Sequence, residues 1–305
     1  MRTPLSLLLA AVVFTASASS PVPAPQQSAR QASPFGLFWS GDVTHLSLYS
    51  RPGSIVVAGN CNRYDPLIQK ARADGAELLT YLNVIEVYDQ MPCKLIREFY
   101  MGDGSKVPLW PWPTYGARVN WPKTHLADMR AGSKWADNVV NYIIELMKED
   151  KVDGVFLDNL GARLWTRAKW AEWSPEERKA WTEGNIDLAR RIDEARRRIN
   201  PDFIVVGNNI WDLSDKHDKS GFAGEKYVDG VMIERSNFNE YHRWYAGRQF
   251  SDLGHRRVLI MAKNPEDVEG WSHVPGVTHV SFQKDYRYPP KPELPFTALN
   301  DRKHR

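Results

Sequence analysis

The chain has 305 residues, of which 25% are charged, and a formal net charge of +3. That length suits one (β/α)8 barrel and can bury a large core without disulfide or metal staples. Interspersed charges of both signs argue against a nucleic-acid partner, which requires Lys and Arg gathered on one surface.

Residues 1–18 have the form of a secretory signal peptide. Arg2 supplies the positive start, Leu5 to Ala16 is an apolar run, and Ala16-Ser17-Ala18 offers small residues for cleavage. The run is shorter than the ~20 residues that span a bilayer, and no later segment reaches that length. The expected location is secreted or periplasmic, with no integral membrane segment after cleavage. Residues 19–33, rich in Pro, Ser and Gln, read as a linker, 34–288 as the folded domain and 289–305 as a C-terminal tail.

Eight apolar runs follow one another: Phe35–Trp39, Ser54–Gly59, Glu77–Asn83, Gly154–Asp158, Phe203–Gly207, Gly230–Glu234, Arg257–Met261 and Thr278–Phe282. They lack polar alternation, as parallel strands buried on both faces do. Helical spacing of Trp135, Val139, Val140, Ile143, Ile144 and Met147 leads into the fourth run. Ser174-Pro175-Glu176-Glu177 caps a second helix, whose buried stripe is Trp181, Leu188, Ile192, Ala195 and Ile199 and which stops at Asn200-Pro201. Its cluster Arg190, Arg191, Arg196, Arg197 and Arg198 reads as a solvated face. Glu240–Leu253 is a further helix, the first and seventh are short, and the Pro-rich stretch after Tyr288 leaves a truncated last one.

This alternation predicts an α/β protein of the (β/α)8 TIM-barrel type, with a doubly wound open sheet as the alternative. One connection is long. Residues 84–131, after the third strand, contain Trp110, Trp112, Tyr115 and Trp121, and are expected to fold over the barrel mouth. Cys61 and Cys93 follow sequential strands, so a disulfide between neighbouring loops is expected in an oxidising compartment.

In a barrel, chemistry sits at the C-terminal ends of the strands. The fourth run ends in Asp158 and the sixth in Glu234, each after an Asp-Gly turn and three apolar residues. Two carboxylates on strands two apart suit acid/base attack on a glycosidic bond. Trp39, Asp42, Tyr81, Asn83, Asn208, Asn209, Lys263 and Gln283 lie near other strand ends and are candidates for sugar hydroxyls. Trp110, Trp112, Tyr115 and Trp211 could offer flat faces to sugar rings. There is no G-x-S-x-G, H-E-x-x-H, P-loop or dinucleotide motif, and the eight His residues are scattered. No metal site and no cofactor is implied, and nothing specifies an oligomeric state.

The segment Asp153-Gly154-Val155-Phe156-Leu157-Asp158-Asn159 resembles the fourth strand of glycoside hydrolase family 114, the endo-α-1,4-polygalactosaminidases, and of related hypothetical glycosyl hydrolases. The resemblance implies that Asp158 and Glu234 are the catalytic pair and that the partner is a polysaccharide substrate, one containing amino sugars. The chain departs from the chitinase-like pattern, which needs Glu where Leu160 stands, and from barrels with a catalytic Glu after the seventh strand, where Ala262 and Lys263 stand. The alternatives are a non-catalytic polysaccharide-binding barrel and, more weakly, a polysaccharide deacetylase or lyase.

Overall fold

A computed structural model describes residues 32–38, 42–88, 109–111, 124–162, 164, 167–208, 224–238 and 257–284. Eight parallel strands run in sequence order: β1 (Phe35–Phe38), β2 (Ile55–Gly59), β3 (Glu77–Asn83), β4 (Gly154–Asp158), β5 (Ile204–Asn208), β6 (Gly230–Ser236), β7 (Arg257–Ala262) and β8 (His279–Phe282). Each strand pairs with the next. The circle closes where Ser33, just before β1, bridges His279 of β8. Higher on the same seam, side chains replace the backbone ladder. Ser281 Oγ accepts from the Phe35 amide at 3.0 Å, and Gln283 Nε2 donates to the Leu37 carbonyl at 3.1 Å. The expected barrel is therefore the observed one, and closure excludes the open sheet.

Alternation along the strands sorts two cores. Phe35, Leu37, Ile55, Val57, Leu79, Phe156, Ile204, Val206, Met232, Leu259 and Met261 point inward and fill the barrel, so it is a packed core and not a pore. The opposite faces of the strands pack on helices α1 (Pro66–Ala73), α2 (Lys134–Lys148), α3 (Arg167–Glu172), α4 (Pro175–Ile199) and α5 (Asp267–Ser272). The Ser174 hydroxyl caps α4 by accepting from the Glu177 amide at 3.1 Å, with Pro175 in the first turn. On α4, Arg190 pairs with Asp187 and Glu194, Arg191 with Asp137 of α2, and Arg197 with Asp193, so these arginines lie in an ion-paired face.

The two Asp-Gly turns share one mechanical role at the barrel floor. Asp153 accepts from the Leu78 amide at 2.8 Å and Asp229 from the Val205 amide at 2.9 Å, each bracing the start of the preceding strand. The glycine that follows sits under the next strand. A Cβ on Gly154 would lie 2.1 Å from the Ile204 carbonyl, and one on Gly230 would lie 2.6 Å from that of Arg257. The shared pattern thus sets β4 and β6 at equivalent heights, so their fifth residues, Asp158 and Glu234, emerge at the same rim.

The long connection after β3 begins and ends in an antiparallel pair, Glu86–Tyr88 with Thr124–Leu126. The Ala127 amide donates to the Ile85 carbonyl at 2.9 Å and the Trp110 amide to Leu126 at 3.0 Å. Residues 89–108 and 112–123, Glu240–Leu253 and the tail from 285 lie outside the described residues, as do residues 1–31 with the signal peptide. No described helix is long and apolar enough to cross a membrane.

Candidate active site

The site begins one inward position above the apolar barrel filling. On β4 the inward residues are Gly154, Phe156 and then Asp158; on β5 they are Ile204, Val206 and Asn208; on β6, Gly230, Met232 and Glu234. On β3, Tyr81 follows Leu79, and its ring stacks on Phe156 with centroids 6.1 Å apart. Four polar side chains therefore stand on an apolar platform whose packing sets their height.

Their hydrogen bonds converge. Tyr81 Oη donates to Asp158 Oδ2 at 2.5 Å. Asn208 Nδ2 donates to Asp158 Oδ1 at 2.7 Å and to Glu234 Oε1 at 2.7 Å. Two acceptors bonded to one nitrogen can be no farther apart than twice that length, about 5.4 Å.

Two backbone irregularities aim the carboxylates. Asn159, directly after Asp158, has φ of 62°, a left-handed turn that Asn tolerates better than most side chains. It ends the strand abruptly and leaves Asp158 as the last residue of β4. On β6 the ladder to β7 jumps from Ile233↔Ile260 to Ser236↔Ala262, so β6 carries one extra residue at the level of Glu234. A bulge of this kind re-aims a side chain at a barrel rim.

Burial pushes the Asp158 carboxyl above the ordinary carboxylate range, because removal from water penalises the charged form. The Tyr81 hydroxyl, the Asn208 amide and the Asn159 backbone N–H oppose that shift by bonding the ionised form. Both oxygens of Asp158 accept, so its donors favour the anion while burial resists the charge.

Other residues read from the sequence lie elsewhere. Asn83 is buried, and its side chain is engaged by its own loop: Oδ1 accepts from the Ile85 amide at 3.1 Å, and Nδ2 donates to Glu86 at 3.0 Å. Gln283 serves the seam between β8 and β1. Asp42 is exposed and folds back on Thr44, whose hydroxyl donates to it at 2.6 Å. Trp110 is buried against the barrel's flank, stacked on Trp173 at 5.4 Å, with its indole N–H donating to Glu177 at 3.0 Å. That packing anchors the base of the long connection on α4 and leaves the Trp110 ring buried. Lys263 is exposed just beyond β7. Trp39, Trp112, Tyr115, Asn209, Trp211 and Cys93 lie outside the described residues; Cys61 is half-buried on the loop after β2.

Sequence reasoning reached Tyr81 and Asn208 as sugar contacts; their bonds are to the carboxylates. It did not single out Asn159. The one available signal was an Asn directly after a strand-ending Asp, a position where left-handed backbone is tolerated.

No protein-family model matches this sequence, and no curated protein matches it. Solved structures do match in fold. The chain is similar to the glycoside hydrolase domain of PelA from Pseudomonas aeruginosa, with a TM-score of 0.51 and 14% identity over 84% of this chain and 95% of that one. It is also similar to Ega3 from Aspergillus fumigatus, whose structure is a complex with galactosamine, with a TM-score of 0.51 and 12% identity over 85% of this chain and 94% of the other. At that identity the likeness concerns the barrel architecture.

Proposed function

We propose that this chain is a glycoside hydrolase that cleaves a polysaccharide by paired-carboxylate catalysis, with Asp158 as nucleophile and Glu234 as acid/base. The observation that carries the reading is the single amide nitrogen shared by the two carboxylates. Retaining enzymes hold their carboxyl groups roughly 5–5.5 Å apart, and inverting ones roughly 6.5–9.5 Å apart to admit a water. The ceiling of about 5.4 Å between the bonded oxygens supports double displacement with retention.

The donors at Asp158 favour the nucleophile role there, against the burial that raises its carboxyl. Asp158 accepts from Tyr81 and Asn208 on separate oxygens, and such bonds favour the ionised form that attacks the anomeric carbon. Glu234 then protonates the leaving oxygen in the first step and deprotonates water in the second. The barrel likeness to PelA and Ega3 supports the reaction class, and the galactosamine in the Ega3 complex makes amino-sugar polymers the first substrates to test. Cleavage of the signal peptide after Ala18, export, and a Cys61–Cys93 disulfide belong to the same reading.

The test is reducing-end release from a panel of polysaccharides that includes galactosaminoglycans, with wild type beside Asp158→Asn and Glu234→Gln. Release by the wild type only, with products that first appear in the substrate's own anomeric configuration by NMR, supports the proposal. Full activity in either variant overturns it. Binding without any product from the wild type would favour a carbohydrate-binding barrel.

A further inference from the structure

We infer that Asn208 is a positioning residue that fixes the separation of Asp158 and Glu234 and ties their titrations together; the inference rests on the catalytic reading of that pair. Asn208 ends β5, between the strands that carry the two acids, and is buried. A primary amide nitrogen carries two hydrogens. Here one points to each carboxylate, both at 2.7 Å.

Few side chains meet that demand. A Ser hydroxyl has one hydrogen, an Asp has none to give when ionised, and a Lys would add a full positive charge that favours double ionisation. The neutral amide holds two acids at a fixed spacing while leaving one of them able to carry a proton. Its orientation is dictated by the acids: turned over, Oδ1 would face carboxylate oxygens. In the observed orientation Asn208 Oδ1 is buried and has no hydrogen-bond partner among the described residues. A buried acceptor left unpaired is unfavourable, so the rotamer does not serve the amide's own satisfaction. The bonds to Asp158 and Glu234 account for it.

The test uses the full chain as wild type, Asn208→Ala and Asn208→Ser, with Asp and Glu carboxyls labelled with carbon-13. Asp158→Asn and Glu234→Gln assign the signals. Bonds from Asn208 favour the ionised forms, so their loss in Asn208→Ala should raise both midpoints, by roughly one to two pH units. Asn208→Ser, with one donor, should raise one midpoint more than the other. With an active enzyme, Asn208→Ala should lower kcat roughly 100-fold at neutral pH with little change in KM, and move the acid limb of the profile upward. Unmoved midpoints in a folded Asn208→Ala protein overturn the inference. Should Asn208→Ala fail to fold, Asn208→Ser decides: equal, unshifted midpoints refute it and an unequal rise supports it. The titration needs no substrate, so a chain that cleaves none of the panel would refute the hydrolase reading while the midpoints still decide the role of Asn208.

Discussion

Tyr81 and Asp158 are joined across the β3–β4 ladder by a hydroxyl-to-carboxylate bond of 2.5 Å, while the tyrosine ring lies on Phe156 two residues before the aspartate. The same strand that fills the barrel interior therefore holds the donor in place. The bond stabilises the charged form, so Tyr81→Phe should raise the Asp158 pKa further above the usual carboxylate range. Under the nucleophile assignment, activity rises with pH as Asp158 ionises. The variant's acid limb should move upward, with a loss of roughly 10- to 100-fold on the acid side and a smaller one at higher pH. A pH profile of kcat/KM for both proteins measures this. An unmoved limb would separate Tyr81 from the ionisation that matters.

The barrel was legible because its strands are short, predominantly apolar runs bounded by turns, and parallel strands covered on both faces read that way. Asp158 and Glu234 were legible because the Asp-Gly pattern repeats and a carboxylate ending such a run has no apolar place to go. The bulge at Glu234 left no comparable mark, since an extra residue in a ladder shows only against its partner strand. Trp110 was ambiguous for a related reason. An aromatic residue in a long connection suits a lid or a packing anchor equally, and its partners Trp173 and Trp181 are more than 60 positions away. Asn83 and Gln283 show the same limit: an amide at a strand end can serve a ligand or the backbone, and only the geometry of the neighbouring loop or strand decides.

His279 gives the fold a pH dependence independent of the site. Its Nε2 lies 3.1 Å from the Gly53 carbonyl and its Nδ1 2.8 Å from Thr278 Oγ1, and burial pushes the imidazole down to about 4 from its ordinary 6.5. Glu77 raises that value slightly and Arg257 lowers it. Because the unfolded chain takes up the proton first, the stabilisation is fully present above about 6.5 and is lost as pH falls from there to about 4. The shift corresponds to at most about 3 kcal/mol. Urea unfolding at neutral pH and near pH 4 should show that much less pH dependence in His279→Gln than in wild type. Parallel curves would rule the histidine out as the source.

If Cys61 and Cys93 are joined as proposed, thiol titration of the denatured, unreduced protein should find no free sulfhydryl. Reduction, or Cys93→Ser, should then destabilise the chain by roughly 3–4 kcal/mol, the loop-closure entropy for a link of that span. Two titratable thiols per chain would refute the link.

Gly184 offers the sharpest packing test, because it lies inside α4, where glycine is otherwise unfavourable. Its neighbour is the backbone of the segment that returns from the long connection. A Cβ there would stand 1.5 Å from the Met129 carbonyl oxygen and 2.6 Å from its carbon. A helix gains roughly 1 kcal/mol from alanine in place of glycine, so propensity alone predicts that Gly184→Ala stabilises the protein. Contact with an unyielding carbonyl predicts the reverse, a loss of roughly 3 kcal/mol as α4 or residues 127–131 shift. Gly132 separates crowding from backbone strain. It has φ of 69° and nothing within 4 Å of its would-be Cβ, so Gly132→Ala should cost only the left-handed penalty, roughly 1 kcal/mol. Denaturant unfolding of both variants decides. A larger loss at Gly184 than at Gly132 means that α4 bears directly on the segment anchoring the long connection. A gain at Gly184 would mean that the two are free to move apart.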